Sequence, residues 1–147
     1  MALAMVSAMR TNLTIEDLPG FLDEPLIAVL ATLRRDGSVQ LSPVWHEWRD
    51  GGFNLWLPTE DVKTRHLRRD PRASLVVAES EIPLRGVELR TEASLVDRDV
   101  RATAVRIATR YVGEAKGTDY VGSAENDVIA RLEPGHLRVW DVADEYD

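Results

Sequence analysis

The residues best suited to chemistry form one basic run, Lys63-Thr64-Arg65-His66-Leu67-Arg68-Arg69-Asp70-Pro71-Arg72. Five of these ten side chains are lysine or arginine, although the net charge of the chain is -7. The N–H groups that open a helix attract anions, and a lysine beside a hydroxyl adds further donors. Lys63 and Thr64 therefore predict a phosphate pocket. The competing interpretation is a solvated helix face on which Glu60 and Asp61 pair with the basic side chains, and composition alone favours it.

Two predicted strands flank the basic run. The apolar stretch 53–57 ends at Pro58 and Thr59, where a helix cap is expected, and the apolar stretch 73–79 follows the run. A helix is expected over about 61–70, because the residue before Pro71 is pushed out of the α region. The basic run is therefore predicted to be a short crossover between two strands, with an anion held at its first turn.

The rest of the chain predicts a small antiparallel sheet protein. Asp36-Gly37 and Gly51-Gly52 mark hairpin turns between apolar runs. Helices are expected to start at Thr14 and at Asp97, the second ending near residue 112, and the Gly-rich segment 113–126 is expected to be a mobile loop. About six or seven strands predict an antiparallel barrel with helices over its ends, since closure removes sheet edges. The expected strands are 26–33, 39–48, 53–57, 73–79, 85–96 (one long strand or a bent pair), 128–132 and 136–142.

Composition excludes several classes of protein. With 147 residues the prior is one domain, and we expect a loose N-terminal extension over 1–12 followed by a single domain over 13–147. The absence of cysteine excludes disulfides, thiolate zinc sites and cysteine nucleophiles. The net negative charge argues against nucleic-acid binding, and no apolar run reaches the ~18–20 residues of a membrane span. The expected location is the cytoplasm.

Motifs for other common sites are missing. His46, His66 and His136 share no metal-ligand spacing, so no metal is expected. Ser42 lacks the G-x-S-x-G context of a hydrolase nucleophile, and no G-x-G-x-x-G or Walker A run is present. Trp45 and Trp56 lie on neighbouring predicted strands, where they are able to stack on a planar ligand; packing in a core or at a dimer contact is an equally good interpretation.

Several of these stretches together resemble a known family. They are Ile27-Ala28-Val29-Leu30-Ala31-Thr32-Leu33, Asp36-Gly37, Gln40-Leu41-Ser42-Pro43-Val44 and the run from Lys63 to Leu75. In order and spacing they are similar to the pyridoxamine 5′-phosphate oxidase-like FMN-binding split-barrel family, and more narrowly to its actinobacterial branch of deazaflavin (coenzyme F420)-dependent reductases. The resemblance implies a six-stranded antiparallel split β-barrel, working as a homodimer with two cofactor sites at the dimer interface.

The resemblance also implies the site residues. Lys63 and Thr64 would hold the cofactor phosphate, with Arg65 as a secondary contact to the phosphate or an acidic tail. One departure concerns Asp61, which stands where deazaflavin-binding relatives are expected to carry a basic residue. A second is the bulky strand end 56–59, which replaces smaller residues. The remaining implied contacts to the ring, the ribityl chain and the neighbouring strand are Gln40, Ser42, Pro43, Val44, Leu57, Pro58 and Thr59.

The implied function is hydride transfer from reduced coenzyme F420 to an unsaturated or electron-poor small molecule, with no dedicated catalytic residue. One alternative is an FMN-dependent oxidase or reductase on the same fold, and another is a non-catalytic flavin- or haem-binding storage protein. Oxidation of pyridoxamine phosphate is disfavoured, because the extra Arg and His substrate contacts of that oxidase are absent from the terminal segment 137–142.

Overall fold

Nine strands and three α-helices make up the described part of the chain, residues 12–142 of a computed structural model. Two short 3-10 turns, Ile15–Asp17 and Phe21–Asp23, precede them. The strands are β1 Ala28–Leu33, β2 Val39–Val44, β3 His46–Arg49, β4 Gly52–Pro58, β5 Arg72–Ala78, β6 Gly86–Glu92, β7 Ser94–Val96, β8 Asp127–Leu132 and β9 His136–Trp140. The helices are α1 Val62–Arg69, α2 Val100–Val112 and α3 Glu114–Val121.

The strands form two antiparallel sheets. One has the order β2-β1-β5-β6-β9 and the other the order β3-β4-β8-β7. The predicted mainly-β class with helices is confirmed, whereas the count of six strands in a single barrel is not. The expected strand 39–48 is interrupted at Trp45 and passes from the first sheet to the second, and the bend in 85–96 falls at Ala93, whose N–H donates to the Pro71 carbonyl at 2.8 Å.

The main core lies between the two sheets. Alternate side chains of β1 are buried, as the pleat of a strand with one face on a core requires. Phe21, Leu30, Phe53 and Leu89 are among the largest side chains with no exposed surface. A second, smaller apolar cluster lies under α2 and α3, where Trp45 and Trp56 pack against it. Contacts with residues of α2 and α3 therefore hold the two indole rings in place.

Helix α1 confirms the predicted crossover. The cap is Asp61 and not the expected Thr59, since the Asp61 carboxylate accepts a hydrogen bond from the Val62 N–H at 2.7 Å. The helix ends at Arg69, and Asp70 before Pro71 is extended, with φ -140° and ψ 107°. The basic run is thus one short helix between β4 and β5, as its sequence predicts.

Two helix predictions need correction. The helix expected from Thr14 is two 3-10 turns, because Pro19 and Gly20 interrupt it and Gly20 has a φ of 80°. The mobile loop expected over 113–126 is also wrong, because α3 occupies most of it. Gly117 allows α3 to approach α2 closely: a Cβ at this position would lie 3.1 Å from the backbone of Thr109. A glycine that indicated a loop is therefore a helix-packing residue.

The termini lie outside the described residues. Of the predicted extension over 1–12, only Asn12 is described, and it forms an isolated bridge to Val139. The single domain over 13–147 stays a prediction. Between residues 12 and 142, no helix combines the length and the apolar character that spanning a membrane requires.

Candidate functional site

A cavity of about 300 Å³ opens where β2 and β4 end and α1 begins. Strand β4 ends at Pro58, which cannot donate to a further ladder bond, and β2 ends at Val44, just before the change of sheet at Trp45. We call it the aromatic cavity. Its lining residues are Ile27, Pro43, Val44, Trp45, Trp56, Leu57, Pro58, Lys63 and Tyr120.

Three aromatic rings, Trp45, Trp56 and Tyr120, line one wall of the aromatic cavity, and a fourth, Tyr111, packs behind Trp45. The Trp45 ring stacks on Tyr111 with 4.8 Å between centroids and 5° between planes, and lies 5.1 Å from Tyr120. The Trp56 ring meets Tyr120 edge-on at 6.0 Å, and its Nε1–H donates to Asp127 at 2.9 Å. The two indoles thus line the cavity and also pack against an apolar cluster, and their stacking on a planar ligand stays a prediction.

Sequence reasoning missed Tyr111 and Tyr120. Tyr111 comes from α2, and its hydroxyl donates to the Leu26 carbonyl at 2.8 Å. Tyr120 comes from α3, in the segment expected to be a loop. A signal was available, because Gly113 and Gly122 frame eight residues, and glycine is common just beyond a helix end.

Lys63 provides the positive charge at the rim of the aromatic cavity. Its Nζ donates to the Asp61 carboxylate at 2.5 Å, and its side chain is 17% exposed. This hydrogen bond is the main cause that lowers the pKa of Asp61. Asp61 therefore partly neutralises Lys63, and an anion arriving at this rim must share the lysine with a carboxylate or displace it.

Thr64 has a different position from the one implied. Its side chain is fully buried, and its hydroxyl donates to the Pro58 carbonyl at 2.7 Å. Thr64 thus ties α1 to the end of β4 and does not line the aromatic cavity. The Thr59 N–H donates to the Asn126 carbonyl at 2.8 Å, and the buried Ser42 hydroxyl accepts from the Gln40 amide at 3.3 Å.

Seven of the ten implied site residues line one of two cavities, whereas Ser42, Thr59 and Thr64 line neither. Five of the ten line the aromatic cavity, namely Pro43, Val44, Leu57, Pro58 and Lys63. Gln40 and Arg65 line a second cavity of about 560 Å³ beside α1, which we call the arginine cavity. Its lining residues are Arg34, Arg35, Asp36, Gln40, Val62, Arg65, His66 and Arg69. Within residues 12–142, no three His, Asp or Glu side chains are grouped as a metal site.

A buried histidine supports the aromatic wall from behind. His46 has no exposed surface, and neither ring nitrogen has a hydrogen-bond partner among the described residues. Burial, followed by the positive charge of Arg110, lowers the pKa of His46 to about 4. Its backbone N–H donates to the Tyr111 hydroxyl at 3.1 Å. The neutral histidine, Tyr111 and Trp45 are therefore linked in one packed unit.

Comparison with known proteins decides the family. Residues 15–141 match the family pyridoxamine 5′-phosphate oxidase. The chain belongs to this family. The predicted resemblance is thereby confirmed at the level of the family, while its deazaflavin branch is taken up below as a proposal.

Solved structures share the fold of this pyridoxamine 5′-phosphate oxidase family member. A conserved hypothetical protein from Mycobacterium tuberculosis is 25% identical, with a TM-score of 0.77 over 88% of this chain and 86% of the other. An F420 reductase is 24% identical, with a TM-score of 0.66 over 80% and 93%. The heme storage protein HutZ from Vibrio cholerae is 21% identical, with a TM-score of 0.68 over 85% and 93%.

Proposed function

We propose that the protein is a flavin-type oxidoreductase, and more narrowly a coenzyme F420-dependent reductase that passes hydride to an electron-poor small molecule. The observation that carries the proposal is the aromatic cavity, with Trp45, Trp56 and Tyr120 on one side and Lys63 at its rim. Membership of the family and the likeness to an F420 reductase in fold support it.

The residues of the aromatic cavity suit a planar ring system that carries a phosphate. Indole and phenol faces favour offset or edge-on contact with an aromatic ring. Leu57 and Pro58 offer apolar surface beside them, and Lys63 offers a charge-assisted hydrogen bond to a phosphate oxygen. The cavity thus combines an apolar part for rings with a cationic rim.

The work of the chain is to bind, orient and exclude water. When bound, the cofactor supplies the hydride chemistry, while the protein fixes the geometry and the polarity around the ring. Tyr111 holds Trp45 in place by stacking, and Thr64 fixes α1 so that Lys63 stays at the rim. We assign no general acid or base to a side chain of the cavity.

An FMN-dependent oxidase or reductase is the second candidate, and Asp61 is the observation that favours it. A carboxylate 2.5 Å from the Lys63 ammonium already uses part of its charge. Like charges at ~4 Å repel by about 1 kcal/mol in water and by more where they are buried. Asp61 therefore disfavours a long acidic tail near this lysine more than it disfavours a single phosphate.

Replacement of Lys63 tests the phosphate position. We expect Lys63→Ala to weaken cofactor binding by about 1.5–3 kcal/mol, because a hydrogen bond to a charged group is lost. Quenching of Trp45 and Trp56 fluorescence during titration with coenzyme F420 and, separately, FMN measures the effect. Lys116→Ala, on the exposed side of α3, is the matched control.

The titrations also separate the candidate functions. Tighter binding of F420 supports the first proposal, and tighter binding of FMN supports the second. Binding without hydride transfer to any electron-poor acceptor would favour a storage protein. Equal affinities of Lys63→Ala and the wild type would show that the phosphate lies elsewhere.

We further propose that the protein is a homodimer and that the partner copy covers the aromatic cavity. Strand β2 is a sheet edge, and its outward side chains Val39, Leu41 and Pro43 are exposed, Leu41 by 67%. Ile27 and Pro43 also line the cavity. Apolar side chains on a free strand edge are an association site, so one surface serves both the dimer and the cavity.

Leu41→Lys should convert the dimer to a monomer, because it places a charge at the centre of this apolar edge. Size-exclusion chromatography with light scattering measures the mass. Ile82→Lys is the control, since Ile82 is exposed and lies outside β2. A wild-type protein that is monomeric at ~0.1 mM, a concentration far above the Kd of a stable interface, would contradict the proposed dimer.

A further inference from the structure

One indole of the aromatic cavity has a carboxylate at its N–H group. Asp127 is the first residue of β8 and pairs with Pro58 of β4. Two residues away on each strand, Trp56 pairs with Ile129. Trp56 and Asp127 are therefore diagonal neighbours on one face of the sheet, close enough for long side chains to touch. The Asp127 carboxylate accepts a hydrogen bond from Trp56 Nε1–H at 2.9 Å, so the register of the two strands specifies this contact.

The Asp127 carboxylate has a neutral partner, unlike the other carboxylate beside the aromatic cavity. The Asp61 carboxylate pairs with the Lys63 ammonium, and each charge offsets the other. The ion pairs among residues 12–142 do not include Asp127. Its hydrogen bond with Trp56 is charge-assisted, because only the acceptor is an ion. The charge of Asp127 therefore acts on the indole and is not cancelled by a neighbouring cation.

An indole that donates to a carboxylate presents a more electron-rich ring. The anion draws the N–H proton toward itself and polarises the donor, so electron density in the ring rises. Aromatic rings have negative faces and positive edges. Added electron density strengthens the attraction to an electron-poor ring and weakens the attraction to an electron-rich one. Because Trp56 lines the aromatic cavity, this polarisation reaches a ligand there.

We propose that Asp127 is a positioning residue that fixes Trp56 and enriches its ring in electrons, so that the aromatic cavity selects electron-poor planar rings. The inference rests on the proposed function in one respect, namely that this cavity receives the ring of a ligand. Flavin-type rings are more electron-poor when oxidised than when reduced. A site that binds the oxidised ring more tightly than the reduced ring makes the reduced cofactor the stronger hydride donor. Asp127 thus assists hydride transfer without touching the reacting atoms.

Fluorescence of the ligand-free protein tests the contact itself. Asp127→Asn keeps an oxygen acceptor for the indole N–H and removes the charge. The emission of Trp56 is obtained as the difference between the spectra of a protein and of its Trp56→Phe variant. Excitation moves electron density away from the indole nitrogen, so a carboxylate beside that nitrogen lowers the energy of the excited state. The Trp56 emission should therefore lie at a shorter wavelength in Asp127→Asn, and an unchanged wavelength would overturn the inference.

Calorimetric titration of the full chain with 2-naphthoate and with its fully ring-fluorinated analogue tests the selection. The two probes have nearly the same shape and the same charge, but fluorination makes the ring electron-poor. We expect the wild type to bind the fluorinated probe more tightly. Asp127→Asn should reduce the ratio of the two affinities about threefold, the scale of one favourable ring–ring contact. Glu125→Gln removes an exposed charge two residues away and should keep the wild-type ratio.

The double variant Trp56→Phe/Asp127→Asn shows whether the charge acts through the indole. In the Trp56→Phe background, Asp127→Asn should leave the affinity ratio unchanged. An equal reduction with and without Trp56 would contradict the inference, as would equal ratios for the wild type and Asp127→Asn or failure of both probes to bind. Circular dichroism checks that each variant is folded. If the ratio changes as expected but neither F420 nor FMN binds the wild type, the proposed function fails and the role of Asp127 stands.

Discussion

Replacing Arg106 with methionine is expected to lower the free energy of unfolding by about 3 kcal/mol. The Glu47 side chain is 6% exposed, and it accepts hydrogen bonds from Arg106 Nε at 3.1 Å and Nη2 at 2.9 Å. Without Arg106 a buried carboxylate loses its counter-ion, a change that costs roughly 3–5 kcal/mol in proteins. The Arg106 side chain is 38% exposed, so the lower end of this range applies.

The pKa of Glu47 explains why the loss is large. Burial alone would raise this pKa, but hydrogen bonds from Arg106 and Asn54 outweigh burial, and the pKa is lowered. In Arg106→Met the hydrogen bond from Asn54 remains, but both hydrogen bonds from Arg106 are lost, so burial is opposed less and Glu47 must take up a proton or remain charged without its partner. Glu47 lies on β3 and Arg106 on α2, so the same pair anchors the helix that carries Tyr111.

Urea unfolding at pH 7 measures the effect. Arg138→Met is the matched control, because Arg138 pairs with Glu88 at the surface and such pairs contribute about 0–1 kcal/mol. The double variant Glu47→Gln/Arg106→Met should recover part of the loss, since an amide costs less to bury than a carboxylate. If Arg106→Met and Arg138→Met lowered the free energy of unfolding equally, the pair of Glu47 and Arg106 would contribute no more than a surface ion pair.

Local signals in the sequence predict the strands and α1 well. Asp36-Gly37 fixes one hairpin, and Gly37 has a φ of 86° that suits glycine. Pro71 fixes the end of α1. Each of these features depends on residues that are neighbours in the chain, and their conformations are restricted before any tertiary contact forms.

The division of the strands into two sheets cannot be predicted from the residues at the points where the strands break. Trp45 and Ala93, where two long strands break, are neither glycine nor proline, and no turn residue marks them. The break follows from pairing: β2 pairs with β1, while β3 pairs with β4. The helix within segment 113–126 also depends on long-range packing. Gly117 packs closely on Thr109 only when α2 and α3 lie side by side, so the sequence of the segment by itself indicates a loop.

The candidate site shows the same limit. Pro43, Leu57 and Lys63 meet because they lie at strand ends and at a helix start, and the family resemblance implies all three as cofactor contacts. Tyr111 and Tyr120 join them from two helices more than 40 residues further along the chain. Sequence reasoning thus places the strand-borne half of the aromatic cavity and omits the helix-borne half, which depends on long-range packing.

Acidification is expected to remove about 3 kcal/mol of stability through His46. The pKa of its imidazole is about 4 in the folded protein and 6.5 when it is freely hydrated. Between these values the unfolded chain binds a proton that the folded protein does not, so stability falls as the pH falls. The contribution is complete above pH 6.5, declines by about 1.4 kcal/mol per pH unit and is exhausted below about pH 4.

His46→Gln isolates this effect, because glutamine does not titrate. Its free energy of unfolding, measured in urea between pH 7 and pH 4, should decline by about 3 kcal/mol less than that of the wild type. Carboxylates and His66 affect both proteins alike and cancel in the difference. His136→Gln, which replaces an exposed histidine on β9, is the control for the substitution itself.

Protonation of His46 is also expected to disturb the wall of the aromatic cavity. The backbone N–H of His46 donates to the Tyr111 hydroxyl, and Tyr111 stacks on Trp45 at 4.8 Å. A proton on His46 brings a charge into a buried unit in which neither ring nitrogen has a hydrogen-bond partner among the described residues. We therefore expect the unit to open so that water reaches the imidazolium. Tryptophan fluorescence, to which Trp45 contributes, should therefore change with the unfolding transition in the wild type. Parallel pH profiles for the wild type and His46→Gln would show that His46 is hydrated in the folded protein.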